Sequence, residues 1–260
     1  MSLLVVLGSG GWIPEEGRMT TCVAYRAGDV LFLFDAGSGL ARLGREPFNQ
    51  LVPASDHPVH LFLSHLHIDH TVGLTYLPAL WHNPTVIHVP PQDVLGVGPE
   101  ALDALLGGPF FPLGLDEIHP DVSIETLAVG QATVEGVSVA VRPQPHPGGS
   151  VGFRVADDFA LMTDTRFDSR AAEWVRGVRV LFHESWTATD GSSENALADL
   201  SGHSAAGDAA RTARQAGVDE LLLCHLPPYK EPAYYEVMLA EARRVFPRTN
   251  LAFDGLRREL

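Results

Sequence analysis

Cysteine is almost missing from this chain: Cys22 and Cys224 are the two among 260 residues. That excludes a disulfide framework as the source of stability. Cys224 reads as a small buried hydrophobe rather than a reactive group. Basic residues are scarce as well, 18 Lys and Arg against 32 Asp and Glu, for a formal charge of −14. Gripping long nucleic acid depends on cations that neutralise phosphates. The densest basic pairs, Arg243-Arg244 and Arg257-Arg258, read as solvated faces, so no long nucleic acid is expected as a partner. Long apolar runs are absent too. The opening Met1 to Gly8 has no basic region and is too short for a signal peptide or a membrane span. It reads as a first strand, in a cytoplasmic protein with no membrane partner. There is no Ser/Gly-rich linker, low-complexity tract or internal repeat. One domain over 1–260 is therefore expected, and a hydrophobic content of 45% supports a full-sized core.

What is present is concentrated at residues 65–70, His65-Leu66-His67-Ile68-Asp69-His70, directly after the apolar run Val59 to Leu63. Residues two apart in an extended segment share a face, so His65 and His67 can converge on one cation. Asp69 and His70 come where the chain must turn, and can address a second cation. Neutral imidazole and carboxylate suit zinc, and also manganese or iron.

The spacing H-x-H-x-D-H resembles the signature of the metallo-β-lactamase fold superfamily, and the resemblance extends from Leu3 to about Phe253. It implies a third histidine for the first metal at His146, in Pro-Gln-Pro-His-Pro-Gly-Gly. It implies a bridging aspartate at Asp164, in Leu-Met-Thr-Asp-Thr, and a last histidine at His225, in Leu-Leu-Leu-Cys-His. Two divalent metal ions are thus expected on His65, His67, Asp69, His70, His146, Asp164 and His225, zinc first, with manganese or iron(II) suited to the same donors. Two such ions sit roughly 3.5–4 Å apart, bring the pKa of water from about 15.7 toward 7 and polarise the scissile group. Hydrolysis is the chemistry that needs this arrangement, with the bridging hydroxide as nucleophile. Asp69 is expected both to bind the second metal and to orient the nucleophile.

Leu181-Phe182-His183-Glu184-Ser185, Gly202-His203-Ser204 and Asp164-Thr165-Arg166 together look like the ribonuclease Z branch, which cuts phosphodiesters. Carried over, Glu184 orients His203, and His203 donates a proton to the leaving oxygen; the competing reading is a buried hydrogen-bonded pair or a helix cap. A helix opening at Ser204 is expected to attract a phosphate oxygen. The long tRNA-gripping arm of that branch lies between the third histidine and the bridging aspartate, and here 18 positions separate His146 from Asp164. The reading shifts from tRNA 3′-processing to a small anionic phosphodiester, cyclic or linear, as in the phosphoribosyl cyclic phosphodiesterases. Alternatives are an ester, lactone, β-lactam, thioester or sulfate-ester hydrolase, and a metal-binding sensor without turnover. Dimers are common in the resembling branch, so a homodimer is compatible.

Strands are expected at Leu3 to Leu7, Cys22 to Tyr25, Val30 to Phe34, Val59 to Leu63 and Val86 to Val89. Further ones are Ala132 to Val141, Ser150 to Val155, Phe159 to Met162, Val178 to Phe182, Glu220 to Leu223 and Asn250 to Ala252. Hairpins join 21–26 to 30–35 and 150–155 to 159–163. Helices are expected at Ser204 to Ala216, stopped by Gly217, and at Pro232 to Val245, with shorter ones at Thr71 to Leu80, Pro99 to Leu106 and Ser169 to Val175. With the resemblance, this alternation implies an α/β fold, a four-layer αββα sandwich of two mixed β-sheets flanked by helices. Gly8-Ser9-Gly10-Gly11 imitates a dinucleotide fingerprint, but Ile13, Pro14 and Gly17 spoil the helix that motif requires. The resemblance makes Gly8 to Gly11 and Asp35 to Gly39 turns at the site floor, with Asp35 a structural hydrogen-bonding residue. His57, His60, His82, His88 and His119 are expected at the surface or in packing. Phe110-Phe111-Pro112 reads equally as a roof over the cleft or as packing.

Overall fold

A computed structural model describes residues 2–80, 82–188 and 201–260. The chain separates into two compact units. The first comprises Met1–Ser9, Glu16–Ala128 and Asp254–Leu260, and the second Gly10–Glu15 and Val129–Phe253.

The first unit holds a mixed sheet of β1 (Ser2–Gly8), β2 (Cys22–Ala27), β3 (Val30–Phe34), β4 (Val59–Phe62), β5 (Thr85–Val89), β6 (Val122–Thr126) and β14 (Arg257–Glu259). Its order is β14-β1-β2-β3-β4-β5-β6. The β14-β1-β2-β3 pairings are antiparallel, and β3-β4-β5-β6 run parallel. Central strands such as β3 and β4 are buried along almost their whole length; β3 is an unbroken apolar run, and β4 is apolar apart from the buried His60. Leu31, Leu33, Leu61 and Ile87 pack with Leu40, Leu43, Leu74 and Leu77 from the 3₁₀ segments Ser38–Gly44 and Val72–Leu80. On alternate strand positions Phe34, Phe62 and His88 stack, with ring centroids 5.2 and 4.3 Å apart.

The second unit repeats the plan with β7 (Gly130–Val134), β8 (Val137–Gln144), β9 (Ser150–Val155), β10 (Phe159–Met162), β11 (Val180–Glu184), β12 (Glu220–Cys224) and β13 (Thr249–Leu251). Their order is β13-β12-β11-β10-β9-β8-β7. Strands β10 to β13 are parallel, and β7 to β10 form an antiparallel meander.

The α-helices among the described residues are α1 (Ile68–Thr71), α2 (Gln92–Leu95), α3 (Leu115–Ile118), α4 (Ala171–Trp174), α5 (Ala206–Ala216) and α6 (Pro232–Val245). The alanines of α5 at 206, 209, 210, 213 and 216 form a flat stripe. It packs with Leu181, Leu221 and Leu223 of the sheet and Met238 and Ala242 of α6. Gly217 ends α5 at φ 69°, a left-handed turn that glycine adopts without strain. No described helix is long and apolar enough to cross a membrane.

Several expected elements change. The single strand Ala132 to Val141 is a hairpin, β7 and β8, turned at Glu135-Gly136 with φ 48° and 77°. Thr71 to Leu80 becomes the one-turn α1 followed by a 3₁₀ stretch containing Pro78, which has no N–H for an α-helical bond. Pro99 to Leu106 is likewise a 3₁₀ turn, Pro99–Ala104. The helix expected from Ser204 starts at Ala206. The Asp208 carboxylate accepts from the Ala205 N–H at 3.3 Å, so an acidic side chain already caps the end that was expected to attract phosphate. Strands β6 and β14 are additional: β6, Val-Ser-Ile-Glu-Thr, is short and mostly exposed, and β14, Arg-Arg-Glu, has no apolar residue.

Candidate active site

Site residues collect at the carboxyl ends of parallel strands, where chain direction changes and side chains leave the sheet. Three of these turns put a non-glycine residue in the left-handed region: Asp35 after β3 at φ 62°, Asp164 after β10 at 49° and His225 after β12 at 48°. Such conformations cost on the order of 1 kcal/mol or more each and persist where surrounding structure fixes them. At Asp35 and Asp164 hydrogen bonds to the carboxylates do so.

In the first unit the fixing group is Asp35, fully buried. Its carboxylate accepts from the Ser64 N–H at 2.7 Å, the Ser64 hydroxyl at 2.9 Å and His70 Nδ1 at 2.8 Å. An ionised carboxylate only accepts, so His70 must carry its proton on Nδ1. That leaves the Nε2 lone pair outward, 3.3 Å from Asp69 Oδ2. Ser64 has spent its one hydroxyl proton on Asp35, so at 3.0 Å it accepts from His65 Nδ1. The Nε2 of His65 is then a lone pair as well. The His67 ring lies edge-on to that of His65 at 4.4 Å, and the His70 ring stands 4.3 Å from it. His65 and His70 are buried, and His67 is exposed. Asp35 is thus the structural residue expected from the sequence, and it sets the tautomers of two metal-capable histidines.

In the second unit Asp164 occupies the centre. Its Oδ2 stands 3.3 Å from His225 Nε2 and its Oδ1 3.7 Å from His146 Nε2. Each oxygen faces a different histidine. His146 Nδ1 donates to the Gly202 carbonyl at 3.1 Å, which again leaves Nε2 as a lone pair. Burial holds the His146 ring below the ordinary imidazole pKa, against the opposing pull of Asp164; the neutral ring is the ligating form. His225 rests on Gly11, whose N–H donates to the Leu226 carbonyl at 3.1 Å. Any Cβ at Gly11 would collide with the His225 ring.

These separations suit a metal. Two ligands at about 2.0–2.1 Å from a tetrahedral cation lie ~3.4 Å apart. The three nitrogen–oxygen separations, 3.3, 3.3 and 3.7 Å, match. Donor atoms of Asp164, His203 and His225 all lie within 4.8 Å of one another.

His203 belongs to a different assembly. Its Nδ1 lies 3.1 and 3.0 Å from the two oxygens of Glu184, which is fully buried. Glu184 also accepts from the Thr165 N–H at 2.5 Å, and the Ser204 hydroxyl donates to the Thr165 carbonyl at 2.6 Å. The pair is therefore locked into the turn after Asp164, with His203 Nδ1 4.0 Å from Asp164 Oδ1. Nδ1 is thereby committed to Glu184.

The sequence reading missed Trp186. Its indole stacks on His203 at 4.7 Å and 18° and leans on His225 at 5.4 Å. Its position two residues beyond Glu184, past the end of β11, is the only signal that pointed to it. Gly202 was also missed: at φ 87°, with Pro147 and His146 where a Cβ would go, it must be glycine for its carbonyl to reach His146. The histidines expected to be structural behave so. His60 and His88 are buried and bond each other at 3.0 Å, and His119 Nε2 bonds the Leu80 carbonyl at 3.0 Å. His57 is half-buried and His82 exposed. Phe111 packs against the first core, while Phe110 is exposed.

The signature of the β-lactamase superfamily domain matches residues 31–226. This chain belongs to the metallo-β-lactamase superfamily. It is 27% identical over 312 aligned positions to a ribonuclease Z of Methanothermobacter thermautotrophicus, covering 98% of this chain and 95% of the relative. The metallo-β-lactamase fold protein YhfI of Bacillus subtilis superposes with a TM-score of 0.79 at 20% identity, covering the whole of both chains. A diphosphatase of the PhnP family superposes with a TM-score of 0.70 at 17% identity, over 100% of this chain and 98% of that one. The two mixed sheets flanked by helices are the α/β sandwich fold of the superfamily. As a superfamily member with this histidine and aspartate cluster, the protein is a metal-dependent hydrolase working with divalent cations.

Proposed function

We propose that the protein is a dinuclear phosphodiesterase acting on a small anionic substrate, a cyclic nucleotide-like or phosphoribosyl diester. His65, His67, Asp69, His70, His146, Asp164 and His225 hold two divalent cations, zinc first, within one catalytic domain. The observation that carries the reading is the His203–Glu184 pair, hydrogen-bonded beside Asp164 with the Glu184 carboxylate fully buried. Hydrolysing a phosphodiester expels an alkoxide, a poor leaving group that needs a proton. When bound, divalent cations lower the pKa of water toward about 7 and polarise a phosphoryl oxygen.

The chain's own residues supply the rest. Asp69 orients the nucleophile, a water that has already given one proton to solvent and attacks as hydroxide. As the water oxygen forms its bond to phosphorus and the bond to the leaving oxygen breaks, His203 Nε2 passes a proton to that oxygen. Glu184 holds the ring in place through Nδ1 and balances its charge while it carries two protons. The stretch between His146 and Asp164 contains only the tight β9–β10 hairpin, with no arm for tRNA. A ribonuclease Z and a diphosphatase, both of which break bonds to phosphorus, support the same bond type.

The test is His203→Ala beside wild type after zinc or manganese loading, with metal content and turnover of 2′,3′- and 3′,5′-cyclic nucleotides measured together. Metal should stay near that of wild type while kcat falls by roughly 10²–10⁴. A wild type that ignores every phosphodiester and cleaves a carboxylic ester or lactone defeats the proposal.

A further inference from the structure

Two large aromatics of the second unit stand open to solvent: Trp12 at 59% and Tyr229 at 76% exposure. Both also sit in the left-handed backbone region, at φ 64° and 59°. Aromatic residues in that conformation are outliers, and their exposure forfeits most of the gain from burial.

Their segments are joined to each other and to His225. Gly10 pairs with Leu226 in a parallel bridge, and the Gly11 N–H donates to the Leu226 carbonyl at 3.1 Å. Further along, the Tyr229 N–H donates to Glu15 at 2.6 Å. Gly11, one residue before Trp12, lies against the His225 ring. The two aromatics therefore stand on segments tied to each other at two points, one segment carrying His225 and the other the glycine against its ring. The Ile13 N–H donates to the Gly11 carbonyl at 2.8 Å, which curls the chain tightly around Trp12.

We propose that Trp12 and Tyr229 form an aromatic rim that stacks the base of a nucleotide substrate. This rests on the phosphodiesterase reading and selects, among small diesters, those bearing a planar ring. Stacking is indifferent to base identity, because every base presents a π-face. The rim should therefore prefer nucleotides over plain sugar phosphates without strong selection among bases.

The experiment uses the metal-loaded full chain. Binding of adenosine monophosphate and of ribose 5-phosphate is measured by calorimetry for wild type, Trp12→Ala, Tyr229→Ala and Trp12→Phe, alongside turnover of 2′,3′-cyclic AMP. Wild type should favour the nucleotide on the order of 10- to 100-fold. That ratio should collapse toward one in either alanine variant and return in Trp12→Phe, with KM for the cyclic nucleotide rising far more than kcat falls. A wild type without preference, or alanine variants that keep the wild-type ratio, overturns the rim. If the ratio behaves as expected but no phosphodiester is cleaved, the rim stands and the phosphodiesterase reading falls.

Discussion

Replacing Glu184 by Gln changes one oxygen to nitrogen at a site with no exposed surface, and the hydrogen bonds there dictate the consequence. The wild-type carboxylate accepts from the Thr165 N–H and from His203 Nδ1. A glutamine amide keeps one acceptor for Thr165 but turns an N–H₂ toward His203, so Nδ1 must become the acceptor. The ring can then carry its one proton on Nε2, but the charge of the doubly protonated, donating ring has lost its partner. A hydrogen bond to a charged group is worth about 1.5–3 kcal/mol, which converts to about 10- to 150-fold in rate. The penalty should depend on the leaving group. With a nucleoside alkoxide leaving, Glu184→Gln should lower kcat by that factor. With p-nitrophenolate leaving, which departs without a proton, the same variant should come within a few fold of wild type. Steady-state kinetics on 2′,3′-cyclic AMP and bis(p-nitrophenyl) phosphate, with metal content measured in parallel, make the comparison. Equal losses on both substrates, or loss of metal, would refute a role in leaving-group protonation and return the pair to a structural one.

Three further outcomes are expected. Asp35→Asn puts a donor against one of three donors on Ser64 and His70, so metal affinity should fall roughly 10- to 100-fold by competition with a chelator; unchanged affinity would show that the tautomers are set elsewhere. Gly11→Ala drives a methyl into the His225 ring, so bound metal and activity should drop together, whereas a Gly11→Ala protein with full metal content would mean the turn yields. Burial, and then the neighbouring His60, hold His88 near pKa 4 rather than 6.5. Below pH 6.5 the unfolded chain binds a proton that the folded one refuses, so stability is lost as pH falls from 6.5 toward 4, by up to about 3 kcal/mol. Denaturant titrations of wild type and His88→Phe across that window should diverge in slope, and parallel curves would remove His88 from the account.

Much of this protein is written locally. The hexapeptide 65–70 states its metal chemistry because the donors are close in sequence. The C-terminal end of α5 and both ends of α6 are legible because Gly217 and a framing pair of prolines act over a few residues. Likewise Asp35 followed by Ala-Gly-Ser-Gly announces a turn. Short elements that bury little stayed hidden. Strand β6 is solvent-facing, and the turn at Glu135-Gly136 interrupts a run that otherwise reads as one strand.

The sequence by itself determined which metal-capable residue types are present and their order along the chain. Only tertiary structure decided their protonation and aim: Ser64 and Asp35 set the rings of His65 and His70, and a glycine carbonyl 56 positions away sets that of His146. It also decided that Trp186 lies on His203, and that Gly11 touches His225 across more than two hundred residues. A hydrogen bond or a ring contact is fixed by distance in space. Chain neighbourhood carries no information about it once the partners sit on different strands.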